Sequence, residues 1–180
     1  MNTLQMTRLY VTSVMNAMMC VDAPAIEKAI EILRVIRKNG NTAWIVGNGG
    51  SAATASHLAN DLLKMCSVIA FAIPDMTPTT LAYGNDEGWK YMFHDPISKL
   101  YKTGDALIAI SCSGNSENVV KCTEFIHSPV IVLTGNNPDC KLAHIQPDVI
   151  LYSESDDITI QESIHSMICH AIARVLSGSV

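Results

Sequence analysis

Residues 43–64 read "AWIVGNGGSAATASHLANDLLK": an apolar run, a cluster of glycines, then a segment of helical character. The run at 43–47 is short, continuous and β-rich, the pattern of a strand buried on both faces. Gly47, Gly49 and Gly50 follow it, with Asn48 and Ser51 among them. Glycine adopts backbone conformations that other residues avoid and leaves no Cβ in the way of a ligand. Two explanations compete at this junction: a tight strand-to-helix turn, or backbone that must approach something closely.

Four more runs of the same kind follow: "VIAFAI" (68–73), "ALIAIS" (106–111), "PVIVLTG" (129–135) and "DVILY" (148–152). Helical segments fit between them at 52–65, 78–85, 88–100, 116–126 and 137–143, with a last helix at 158–176. Two helices come first. Leu4, Val11, Val14 and Met18 line one face of 3–20, and Ile26, Ile30, Leu33 and Ile36 one face of 24–38. Pro24 opens the second helix and Gly40 lies just past its end. Apolar strands alternating with helices predict an α/β fold: a doubly wound, five-stranded parallel sheet, flavodoxin-like, behind an N-terminal helical pair. The 180 residues, 48% of them hydrophobic, suit one domain, with the helical pair at 1–40 and the sandwich at 41–180.

Charge narrows the function classes. A net charge of −5 without a Lys/Arg run excludes a clustered basic surface for nucleic acid. An anionic small molecule stays open, because backbone N–H groups at a helix N-terminus bind anions without side-chain charge. The six cysteines show no CxxC spacing, which fits reduced thiols in a cytoplasmic protein. The N-terminal segment, broken by Thr12, Ser13 and Asn16, reads as an amphipathic helix rather than a signal or membrane span.

In doubly wound sheets ligands bind outside the carboxyl ends of the strands, so the loops there carry the functional reading. The first, 47–51, lacks the third glycine of the dinucleotide fingerprint (Ala52 stands there), and no acidic residue follows at the required distance. It also lacks the Gly-Lys-Ser/Thr of a P-loop, so no nucleotide cofactor is expected. The second loop is Ser111-Cys112-Ser113-Gly114-Asn115-Ser116. One serine would serve as a helix cap. Three hydroxyls around a glycine at a helix start are more than a cap needs, and they read as a phosphate cradle.

"GNGGSA…H…D" followed by "ISCSGNS" resembles the sugar isomerase (SIS) family, and within it the phosphoheptose isomerases. The likeness runs through the leading helices, "AYGNDEGW" at 82–89 and "LTG" at 133–135. It implies a phosphosugar aldose–ketose isomerase of heptose biosynthesis, acting on sedoheptulose 7-phosphate by proton transfer between C1 and C2. On this resemblance Gly49, Gly50, Ser51, Ser111, Cys112, Ser113 and Ser116 hold the sugar phosphate, and Asn48 and Asp86 line the sugar chain. Position 112 is commonly Thr in the family, so Cys112 weakens one donor.

The resemblance also supplies the chemistry. His57 and Asp61, at i and i+4, share a helix face. Asp61 stands at the family's Glu, and superposing the pair His165/His170 places His170 at its catalytic histidine and Glu162 at its Gln. A shift by one residue would place Gln161 there and break the histidine match. Asp61 and His170 are then the acid–base pair. His57, Asp61, Glu162 and His170 form a ligand set for zinc or another divalent ion. His165 is read first as a hydrogen-bonded helix residue, with support of the site from behind as its functional alternative, and His94, His127 and His144 as surface or local hydrogen-bonding residues. The family implies a homotetramer with sites at subunit interfaces, where His170 could arrive from a neighbouring chain. The rival class is a non-catalytic SIS-fold protein that binds a phosphosugar and regulates a partner protein. A third reading is an isomerase for a different sugar phosphate.

Overall fold

The protein is described by a computed structural model covering residues 1–124 and 129–178. Two helices, α1 (Thr3–Met19) and α2 (Ala23–Asn39), precede β1 (Thr42–Gly47) and α3 (Gly50–Cys66). Then come β2 (Ile69–Ala72), α4 (Thr77–Asp86), α5 (His94–Leu100), β3 (Ala106–Ser111) and α6 (Glu117–Lys121). The chain finishes with β4 (Val130–Thr134), α7 (Lys141–His144), β5 (Val149–Tyr152) and α8 (Ile158–Ser177). All five expected strands form one sheet, every pairing parallel, in the order β2-β1-β3-β4-β5.

Period-two alternation sorts each strand between two cores. Ile45, Ile108, Ile110, Ile131 and Leu133 face one way, against α2, α3 and α8. Val46, Leu107, Ala109 and Val132 face the other way, with Phe93, Ile97, Val119 and Leu142. The leading helices start and stop where their sequences direct. Asn2 and Gln5 close a capping box on α1, each side chain taking the other's backbone N–H at 2.9 Å. Asp22 caps α2, and Gly40 ends it at φ +69°.

The later helices depart from the sequence reading. The helix expected at 88–100 is interrupted: a 3-10 turn at Trp89–Tyr91, then α5 from His94. Pro96 has no N–H to continue a helix from 92, so it is accommodated only in a first turn. The helix expected at 137–143 shrinks to α7, because Asn137 turns the chain by accepting the Asp139 N–H on its side chain at 3.0 Å. α6 is short, and residues 125–126 of the segment expected to extend it lie outside the described residues, as does His127. The six cysteines are free thiols. Among the described residues no single helix is long and apolar enough to cross a membrane.

Asp105, 2% exposed, pins the start of the sheet beneath β1 and β3. Its carboxylate accepts from the backbone N–H of Thr42 and Lys102 and from Trp44 Nε1, each at 2.9 Å, and from Asn41 Nδ2 at 3.4 Å. Burial raises its pKa, but these donors outweigh burial and hold it below the ordinary carboxylate value. A depressed folded pKa means stability present above the unfolded value, about 3.9, and lost as pH falls through the folded one. Asp105→Ala leaves buried donors unpaired and is expected to cost on the order of 3 kcal/mol in urea unfolding at pH 7. The deficit relative to wild type should narrow below about pH 4.

Candidate active site

The strand order reverses between β1 and β3, the switch point where ligand crevices open in such sheets. Both loops leave the sheet at that point, 47–51 from the end of β1 and 111–116 from the end of β3. The glycines divide the two roles posed by their sequence. A Cβ on Gly47 would lie 2.8 Å from the carbonyl carbon and oxygen of Ser51, so Gly47 makes the tight turn. A Cβ on Gly50 would lie 2.6 Å from Cδ and 2.7 Å from Oε2 of Glu162, so Gly50 admits a side chain from α8. Gly49, at φ +53°, caps α3 with no neighbour about its missing Cβ.

In the second loop Ser111 Oγ donates to Ser116 Oγ at 3.2 Å and lies 3.5 Å from Ser113 Oγ. Ser116 occupies the N-cap of α6 yet makes no side-chain capping bond. The capping role therefore does not account for its hydroxyl. A cavity of about 180 Å³ opens between the loops, lined by Asn48, Ser51, Ser111, Cys112, Ser113, Ser116 and Glu162, with Ile110 and Ile158 as apolar wall. Ser51 is buried at the start of α3, where unpaired N–H groups and the helix dipole favour an anion. Asp86 is not on this wall. It is exposed at the end of α4, its carboxylate accepting from Asn85 Nδ2 at 2.7 Å.

Tertiary contacts decide the register of α8. Glu162 faces the cavity, while Gln161 turns inward and donates to the Ser155 carbonyl at 2.6 Å. His165 is fully buried beneath the serine loop. Its Nε2 lies 3.0 Å from the Thr134 carbonyl oxygen, which only accepts, so Nε2 carries the proton. Nδ1 is then the acceptor facing Cys112 Sγ at 3.9 Å. Burial pushes the His165 pKa down, opposed by the bond to Thr134, so the ring is neutral. Burial, followed by the Glu162 charge, pushes the Cys112 thiol up, which keeps its proton available to His165. His165 thus packs behind the loop, in contact with Cys112.

A second cluster lies along the α3–α8 seam. His57 Nε2 is 3.5 Å from Asp61 Oδ2, and the His57 and His170 rings meet edge to face with centroids 4.8 Å apart. One ligand atom from each of His57, Asp61 and His170 lies within 4.8 Å of the other two. Two imidazoles and a carboxylate suit a divalent ion and leave coordination positions open, so the donor set fits zinc. Glu162 is outside this trio. His170 meets its partners within one chain. His57 and Asp61 lie six and ten positions after Ser51, and His170 eight after Glu162, so the trio stands about 9–15 Å along the seam from the cradle.

The SIS domain profile matches residues 9–135. The chain is 35% identical over 163 residues to the phosphoheptose isomerase of Helicobacter hepaticus, covering 86% of this chain and 82% of that one. The chain belongs to the SIS domain family, among the phosphoheptose isomerases. Solved phosphoheptose isomerases superpose over nearly all of it. The Neisseria gonorrhoeae enzyme matches with a TM-score of 0.90 and 27% identity over 98% of this chain and 100% of its own. The Francisella tularensis enzyme matches with a TM-score of 0.91 and 27% identity over 99% and 100%. This SIS domain also holds a site residue that its sequence did not reveal. Asn118, fully buried on α6, exchanges two hydrogen bonds with Asn48. Its partner lies 70 residues away, beyond any local sequence signal.

Proposed function

We infer that the protein is a phosphoheptose isomerase that interconverts sedoheptulose 7-phosphate and a heptose 7-phosphate. The observation that carries this reading is one seam holding a hydroxyl-lined anion cradle at one end and an acid–base cluster about 9–15 Å away. That separation suits a sugar chain whose phosphate and reacting carbons lie at opposite ends. The cavity is smaller than the roughly 300 Å³ of a whole small-molecule site, which supports its holding the phosphate end alone.

Ser51, Ser111, Ser113 and Ser116 donate to phosphate oxygens, with the α3 N–H groups completing the cradle. Cys112, its thiol proton directed at His165, contributes little as a donor. Asn48 and Glu162, which also line the cavity, hydrogen-bond the sugar hydroxyls, and like-charge repulsion directs the Glu162 carboxylate to the hydroxyls rather than to the phosphate. With the phosphate anchored, the carbonyl end reaches Asp61 and His170. Asp61 removes the proton from C1 of the ketose, leaving an enediolate whose O2 takes a proton from His170. Asp61 returns a proton to C2 while His170 takes one from O1, and the aldose forms with no net change in protons. A divalent ion held by His57, Asp61 and His170 would supply Lewis-acid polarisation of the substrate oxygens, taking over the role that His170 fills by proton exchange when its ring is not a ligand.

Leu4, Leu9, Val11 and Met15 on α1 are each at least half exposed. An uncovered apolar stripe of this kind supports packing of the leading helices into a homotetramer bundle. The free thiols support a reducing, cytoplasmic setting.

The test is aldose–ketose conversion of sedoheptulose 7-phosphate by purified protein, with added zinc and after chelation. Turnover is expected, highest with zinc. Binding without turnover in either condition would overturn the isomerase reading for this substrate and favour a binding or regulatory role.

A further inference from the structure

We propose that Asn118 is a positioning residue for the sugar site: it holds the Asn48 amide in the orientation that meets the substrate. This role rests on the proposed phosphosugar binding, since it acts through a residue of that cavity. Asn48 Nδ2 donates to Asn118 Oδ1 at 2.9 Å and Asn118 Nδ2 donates to Asn48 Oδ1 at 2.8 Å, a reciprocal amide pair. Asn118 has no exposed surface, whereas Asn48 is part-buried and lines the cavity.

The pair joins the two loops that build the cavity. Asn48 belongs to the glycine loop after β1, and Asn118 opens α6 directly behind the serine loop. An amide has two N–H donors and an oxygen with two lone pairs. The reciprocal bonds use one N–H and one lone pair of Asn48, leaving one of each to face the cavity in a fixed direction. Without its partner, the side chain on this glycine-flanked loop regains rotamer freedom that binding must then remove. The Asn118 amide is directed across to β1's loop rather than to its own helix.

A double-mutant cycle on the full-length protein tests the role, with KM and kcat measured for Asn118→Ala, Asn48→Ala and the double variant. Thermal midpoints monitor folding. Asn118→Ala is expected to raise KM about tenfold with kcat changed less, the loss of one well-placed hydrogen bond. In the Asn48→Ala background the same substitution should change KM less than about twofold, because its route of action is gone. Asn118→Gln, which keeps the amide but displaces it, should not restore KM. The inference is overturned if Asn118→Ala leaves KM unchanged while Asn48→Ala raises it, in which case sugar binding by Asn48 stands alone. It is equally overturned if the Asn118 effect persists undiminished without Asn48, which a purely structural role would produce. Failure of the wild-type protein to bind any sugar phosphate would remove the phosphosugar reading and this role together.

Discussion

Asp61→Asn is expected to lower kcat for heptose phosphate isomerisation by about 10²–10⁴-fold, with KM within a few-fold of wild type. The amide is nearly isosteric with the carboxylate but has no basic lone pair to take the C1 proton. The phosphate cradle is untouched, because Ser51 lies about 15 Å from Asp61 along α3, and the anchored end supplies the affinity. His170→Ala should fall in the same range, since on the proposed mechanism it removes the group that exchanges protons with O1 and O2. The two effects should not add: residues acting as one unit fail together, so the double variant should resemble the worse single one. Steady-state kinetics beside calorimetric binding of the sugar phosphate separate the outcomes. Near-normal turnover by Asp61→Asn would remove Asp61 from the mechanism. Asp61→Glu is informative because the family resemblance places Glu at this position. The additional methylene moves the carboxylate by about 1 Å, enough to change the rate, so a kcat different from wild type shows the site tuned to the shorter side chain.

The second large effect belongs to Gly47→Ala. The new Cβ would lie 2.8 Å from the backbone carbonyl of Ser51 and 2.9 Å from its Cβ. Because the obstacle is backbone, no side-chain rotation relieves it, and the start of α3 must move away from β1. Overpacking of this kind costs about 1–3 kcal/mol, which denaturant unfolding will measure. The functional loss should exceed what stability explains, because the shift carries Ser51 and the α3 N–H groups out of the cradle. A KM raised by tenfold or more in the still-folded variant is the expected result. Gly49→Ala serves as the comparison: nothing lies within 4 Å of its Cβ, so its cost comes from the backbone alone, φ +53° with ψ −123°, on the order of 1–3 kcal/mol, with no displacement of Ser51 by a clash.

The two variants mark what could be read at different levels. The five strands were legible because each is a continuous apolar run between turn residues, and a sheet covered on both faces requires that composition. Both loops were legible because strand-loop-helix junctions with glycine and serine carry a local chemical meaning. The helices at 88–100 and 137–143 were overextended, since Pro96 and the Asn137 turn act through backbone bonds that periodicity does not register. Asp86 matched a resemblance and stands away from the cavity wall.

By itself, then, the sequence determined the strand set, the parallel α/β class and the two loops that line the cavity. Each is a consequence of local composition: burial, backbone freedom or hydroxyl supply within a few residues. Only the tertiary structure decided the rest. It placed Glu162 rather than Gln161 in the cavity, because the packing of α8 against α3 selects which side of the helix meets Gly50. It brought His170 to His57 and Asp61, buried His165 behind Cys112, and joined Asn48 to Asn118 across 70 residues. These are long-range contacts, set by how helices seat on a finished sheet, and no short window of residues contains both partners.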